Sequence, residues 1–384
     1  MKSVRVVALA VAVLVMVATA TGVVAWLGGG IAHAQSGVWR FGAVFILSGD
    51  GAAYGKSQRE GLELARDTIN AAGGIHGMPV EIIFEDSRGD RTEAVNAVLK
   101  LINRDRVLAI IGPTLSSEMF AAGPVADRAR TTIMGISTTA VGIGEIGDYV
   151  FRNSLPEEGV IPTTIRVSKE KLGYRTAALL YSNNNDFTKS AAETFERELR
   201  ANGVELVAIE TFQDGDTDFR AQLTKVLQVN PDVLVVSALY KEAALLLQQA
   251  RQLGLNQPVV GGNGFNSPEL YALAGEAAEG AIVGSPWFAG RDNPLVQDFV
   301  ARYKERYGRE PDQFAAQAYD GLMLFAEAAR RSGRPNDRQA FRDALAEIRN
   351  FEGVTGVFSF DEHGNPMMDA TILQLRGGTY VEFK

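Results

Sequence analysis

Two short stretches of this 384-residue chain carry groups suited to holding a small anion. In the first, Gly112-Pro-Thr-Leu-Ser-Ser117, an apolar run ends and a helical pattern begins. A helix start leaves its first amides unpaired, and the helix dipole adds partial positive charge there. Ser116 and Ser117 place hydroxyls beside those amides, making an anion seat that needs no lysine or arginine. Serine is also an ordinary helix cap, so the residues alone leave both readings open. In the second stretch, Ile136-Ser-Thr-Thr139, a polar loop leaves the end of an apolar run. Open α/β sheets bind ligands at such ends, although a plain connecting loop looks the same.

Reactive chemistry is poorly provided for. There is no cysteine, which excludes disulfides, thiol nucleophiles, iron–sulfur ligation and a lipid-anchoring cysteine. Only three histidines occur, His33, His76 and His363, too few for a histidine-rich zinc site. Neither Gly-x-Ser-x-Gly nor a P-loop is present, and the glycines at 261–264 lack the dinucleotide fingerprint. Glu85 and Asp86 are adjacent on a strand, so they face opposite ways. No enzyme, metal or cofactor is implied. The formal charge of -8 offers nucleic acid no basic stripe.

The elements that would position these groups follow from periodicity. Apolar strand-like runs at 41–47, 80–85, 107–112 and 132–136 alternate with helical patterns at 54–72, 92–104 and 116–128. The pattern then restarts. Strands are expected at 176–181, 204–211, 233–237 and 259–261, with helices at 188–201, 218–229 and 241–253. Helices follow at 294–307, 312–332 and 337–348, and short strands at 357–360 and 371–375 flank a Gly364-Asn365 turn. Continuous apolar strands between helices imply parallel sheets covered on both faces. The fold class is therefore α/β, with two doubly wound α/β lobes. At the N-terminus, Lys2 and Arg5 precede an apolar run and Ala32-His33-Ala34, which reads as an export signal over residues 1–34 with Gln35 as the mature start. An uncleaved anchor is the other reading, because the run is long enough to span a bilayer.

Eight blocks occur in order: Leu47-Ser-Gly-Asp-Gly-Ala-Ala-Tyr-Gly55, Glu60-Gly-Leu-Glu-Leu-Ala65, Ile69-Asn-Ala-Ala-Gly-Gly-Ile-His-Gly77, Glu85-Asp-Ser-Arg-Gly-Asp90, Ala94-Val-Asn-Ala97, Ile110-Ile-Gly-Pro-Thr-Leu-Ser-Ser117, Ala250-Arg-Gln-Leu-Gly-Leu255 and Ala274-Gly-Glu-Ala-Ala-Glu-Gly280. Together they resemble the branched-chain amino acid-binding (leucine/isoleucine/valine-binding protein-like) family of periplasmic solute-binding proteins of ABC transporters, which have the type I fold. The resemblance implies a three-segment hinge between the lobes, with the ligand in the interlobe cleft. It places the crossovers near 153–157, 284–287 and 353–357. The lobes are then residues 35–155 plus 286–354, and 156–285 plus 355–384. The implied partners are a small-molecule ligand, an amino acid or related carboxylate, and an ABC permease. The implied protein is a monomer at the periplasmic or outer face of the cytoplasmic membrane.

By the same resemblance, Ser116, flanked by Ser117, grips the ligand carboxylate. Ser137, Thr138 and Thr139 complete the cradle. Tyr54 matches a gating tyrosine, Phe314 an aromatic of the same lobe, and Phe187 and Tyr240 pocket aromatics of the second lobe. One departure stands out. The family's amino acid binders carry an acid after the strand at 259–261 to pair with the ligand ammonium, and Asn263 stands there instead. A buried ammonium without a counter-charge costs several kcal/mol, against about 8 kcal/mol for all of a micromolar affinity. Asp186 or Asp50 is the expected substitute. Failing both, the ligand is a carboxylate without an amino group, an aromatic acid or an amide. A ligand sensor with the same fold is the other functional reading, and the export signal argues against it.

Overall fold

The computed structural model describes residues 37–384. The expected export signal over residues 1–34 and the mature start at Gln35 lie outside them.

The described chain opens on β1 (Trp39–Phe45), buried along nearly its whole length. It continues through α1 (Ala52–Ala71), β2 (Val80–Asp86), α2 (Arg91–Asn103), β3 (Ala109–Ile111), α3 (Ser116–Arg128), β4 (Thr132–Gly135) and β5 (Val150–Arg152). These strands form one parallel sheet in the order β2-β1-β3-β4-β5. The next run is α4 (Glu157–Leu172), β6 (Thr176–Ser182), α5 (Asp186–Ala201), β7 (Glu205–Phe212), α6 (Arg220–Val229), β8 (Val233–Ser237), α7 (Tyr240–Gln252), β9 (Val259–Gly261), α8 (Glu269–Ala274) and β10 (Ile282–Ser285). Three helices, α9 (Pro294–Tyr307), α10 (Gln313–Ser332) and α11 (Arg338–Ala346), precede a small sheet of β11 (Phe351–Gly353), β12 (Gly356–Phe360) and β13 (Pro366–Met367). The chain ends with β14 (Thr371–Arg376) and β15 (Thr379–Glu382). The second large sheet has the order β15-β14-β10-β9-β8-β6-β7, parallel except for β14 and β15.

Two doubly wound α/β lobes result. Each sheet is covered on both faces, which is why its strands read as unbroken apolar runs. In the first lobe, α1 and α10 lie side by side. A Cβ added to Gly61 would sit 2.0 Å from the Ala315 carbonyl oxygen, so only glycine permits that approach. Phe41, Phe325 and Phe341 pack beneath them with ring centroids 5.1–5.9 Å apart. Local chemistry sets several boundaries. Asp90 caps α2 by accepting from Thr92 and Glu93 amides, Asn293 and Pro294 start α9, and Gly333 ends α10 in the left-handed conformation.

Several elements have no counterpart in the sequence periodicity, among them β5, β10 and α4. β5 and β10 are only three and four residues long, and α4 carries Gly159 and Pro162, which blur a helical pattern.

The chain passes between the sheets three times. The first passage joins β5 to α4, and the second joins β10 to α9. The third falls between β13 and β14, later than the position expected near 353–357. The cause is Asp320 on α10. Its buried carboxylate accepts from the Val354 and Thr355 amides at 2.9 and 2.8 Å and from the Thr355 hydroxyl at 2.5 Å. Phe360 then packs edge-on against Phe151 at 5.4 Å, and the Arg152 amide donates to Gly364 O at 3.0 Å. Residues 355–367 thus stay on the first sheet's side.

Candidate functional site

Where the two sheets' strand ends face each other, Thr114, Leu115, Ser116 and Ser137 meet Tyr54, Phe187, Leu239, Asn263, Gly264 and Phe314 around a space of about 280 Å3. The first group is a polar floor. α3 begins at Ser116, and Leu115 before it supplies no side-chain cap to the first amides. The Ser116 hydroxyl accepts from the Ala140 amide at 3.2 Å, which leaves its own proton to donate elsewhere. Behind the floor lies Gln58 of α1, fully buried. Its amide donates to the Ser137 hydroxyl and its carbonyl accepts from Thr114, both at 2.7 Å. Ser137 in turn donates to Thr114 O at 2.6 Å. Each hydroxyl is held by a partner that is itself held, so the floor is rigid before anything binds.

The opposite side is aromatic. Tyr54 and Phe314 stand on first-lobe helices yet pack into the second lobe's hydrophobic cluster. Their rings lie 4.6 Å apart, and Tyr240 meets Tyr54 edge-on at 4.9 Å. The Tyr54 hydroxyl accepts from the Tyr240 amide and donates to Gly264 O, both at 2.8 Å. Burial raises its pKa well above the ordinary value, so it serves only as a neutral hydroxyl. Further ties cross the gap at its rim. The Tyr240 hydroxyl donates to Asp50 O at 2.6 Å, Lys241 pairs with Asp50 at 2.7 Å, Arg91 with Asp186 at 2.7 Å, and the Asp186 amide donates to Ser117 Oγ at 3.1 Å. The lobes are closed on one another.

Of the residues expected from the sequence, Tyr54, Ser116, Ser137, Phe187, Asn263 and Phe314 line this space. The other four lie one layer back. Ser117 bridges the lobes, Thr138 is fully buried, and the Thr139 hydroxyl donates to Glu157 at 3.0 Å. Tyr240 backs Tyr54, and its neighbour Leu239 takes the lining position. The two acids expected to replace the missing one are engaged elsewhere, Asp186 by Arg91 and Asp50 by Lys241. Asn263 is engaged too, its side-chain oxygen accepting from Gln313 at 2.6 Å. That glutamine also accepts from Ser285 of the second passage at 2.7 Å, which ties the site to the hinge.

Sequence reasoning singles out neither Gln58 nor Glu157. The only trace of Gln58 is a polar residue on the apolar face of α1. Glu157 reads as an ordinary first-turn acid, yet it is buried, and burial pushes its carboxyl up to about 7. A second space of about 560 Å3 lies by Trp287, Pro311 and Tyr380. It lacks the uncapped start of a long helix that marks the cleft.

The sequence profile described as periplasmic binding protein matches residues 38–379. The leucine-, isoleucine-, valine-, threonine- and alanine-binding protein of Pseudomonas aeruginosa is 27% identical over 320 residues, covering 83% of this chain and 84% of the relative. Among solved structures, the branched-chain amino acid transporter substrate-binding protein LivJ of Streptococcus pneumoniae, in complex with isoleucine, is 34% identical with a TM-score of 0.84, over 90% of this chain and all of that one. The leucine-binding protein LivK of Thermotoga maritima is 27% identical with a TM-score of 0.85, over 90% and 97% of the two chains. With a family profile spanning nearly every described residue and two lobes closed over an uncapped helix start, this chain belongs to the periplasmic binding protein family.

Proposed function

We propose that this chain is the extracytoplasmic receptor of an ABC importer, capturing a branched-chain or related amino acid by its carboxylate and presenting the closed form to a membrane permease. One observation carries the reading: Ser116, at the uncapped start of α3, faces the same small space as Ser137, Phe187 and Phe314. Uncapped amides and a free hydroxyl proton favour a carboxylate. The rings opposite favour an aliphatic side chain, whose burial contributes roughly 1.5–3 kcal/mol. Relatives named for leucine, isoleucine and valine, and a solved relative holding isoleucine, support an amino acid ligand. Export through the N-terminal segment belongs to the same reading.

A second reading, a carboxylate without an amino group, is favoured by one fact: the lining residues include no acid. A thermal-shift series separates the two. Leucine, isoleucine and valine should raise the melting temperature at micromolar to millimolar concentration, and their 2-keto analogues should not. The Ser116→Ala variant should need about tenfold more leucine for the same shift. A shift with keto acids alone would reverse the assignment.

A further inference from the structure

We propose that Glu157, at the first passage between the lobes, is the counter-charge for an ammonium group on the ligand, replacing the acid that Asn263 displaces. This deepens the reading above and rests on it. Glu157 opens α4, directly after Pro156 of the crossover. Its side chain is almost wholly buried, with 1% of its surface exposed. One carboxylate oxygen accepts from the Thr139 hydroxyl at 3.0 Å, and the Glu157 amide donates to Thr139 O at 3.0 Å. The other oxygen, Oε2, has no hydrogen-bond partner. The backbone amide of Asn263, a residue lining the cleft, lies close enough to favour the charged form. The carboxylate therefore stands one layer behind the ligand space, between Thr139 of a first-lobe loop and Asn263, the second-lobe residue that lines that space.

An acid in a helix's first turn commonly serves only the helix dipole. Glu158 occupies the next position in solvent and meets that need without a desolvation cost. Burying Glu157 with one oxygen unpaired is expensive unless a donor arrives. Arg152 of β5 is the one charged group acting on it from a neighbouring element among the described residues. That guanidinium donates instead to the Thr138 and Ala140 carbonyls and to Asn365. An ammonium would give Oε2 a donor and complete a counter-charge that neither Asp50 nor Asp186 is free to provide.

Titration calorimetry with leucine and its 2-keto analogue, on the wild type and Glu157→Gln, tests this. The wild type should prefer leucine by 100-fold or more. Glu157→Gln should lose most of that preference by weakening leucine binding, with keto acid binding unchanged or improved. Because burial holds the Glu157 carboxyl near neutrality, leucine binding to the wild type at pH 6.5 should release most of a proton, and none at pH 8.5. This second readout needs no variant and stands if Glu157→Gln does not fold. Unchanged leucine affinity in a folded Glu157→Gln, or no proton release, overturns the role of Glu157 and leaves amino acid capture intact. Keto acid binding without leucine binding overturns the ammonium seat but keeps carboxylate capture. Binding of neither ends both.

Discussion

The floor of the cleft and its aromatic side are built on opposite principles. On the floor, Gln58, Thr114 and Ser137 hold one another through short, mutually satisfied hydrogen bonds, and all lie on first-lobe elements. The aromatic side is assembled only when the lobes meet. Tyr54 and Phe314 leave their own lobe and pack among second-lobe residues, and Tyr54 is fixed by the Gly264 carbonyl and the Tyr240 amide across the gap. The floor is therefore preorganised, while the aromatic side makes its contacts on closure. That division of labour, a floor held within one lobe and a wall shared by both, is the arrangement a hinged closure calls for.

The largest test of this contrast is Tyr54→Ala. Large-to-small changes at buried aromatics cost about 3–5 kcal/mol. Here the loss should fall on the closed form, with leucine affinity down at least 100-fold by calorimetry and circular dichroism unchanged. A matching collapse of the ligand-free melting temperature would place Tyr54 in a permanent core instead. Gln58→Leu should behave oppositely. It strands the Thr114 and Ser137 groups in a buried site, so the ligand-free protein should lose about 1–3 kcal/mol in chemical denaturation.

Acidity provides a third test. Burial holds Glu118 and Glu157 up to about 7 and Asp320 up to about 6. Their folded forms therefore bind more protons than the unfolded chain, whose carboxyls titrate near 4. The stability they confer is complete below that range and is lost as pH rises through the folded values. Ligand-free stability should fall between about pH 5 and 7.5, while leucine should stabilise more as pH rises. The smallest effect is expected at the rim. Lys241→Ala removes an exposed ion pair with Asp50 and should change affinity less than about threefold.

Much of this molecule is legible in its residues. The α/β class, the restart of the pattern after the first lobe and the helix start at Ser116 follow from apolar runs and local capping chemistry, which depend on neighbours in sequence. Tyr54, Ser137, Phe187 and Phe314 could be placed at the cleft through the family's motif order. Where the structure departs from the expectation, the departure depends on burial and long-range partners. The third crossover moved because Asp320, 34 residues before Val354, ties that segment to α10. Tyr240 yielded its expected place to Leu239 because α7 starts with its ring turned behind Tyr54.

By itself the sequence determined two covered parallel sheets and a helix start able to hold an anion, because strand periodicity, glycine turns and unpaired first amides are properties of short stretches. Only the tertiary structure decided which charges remain unspent. Asp50 and Asp186 are neutralised by cations distant in sequence, while Glu157 is carried into the interior with one oxygen unanswered. Desolvation and pairing depend on which surfaces meet, and no local pattern of residues specifies that.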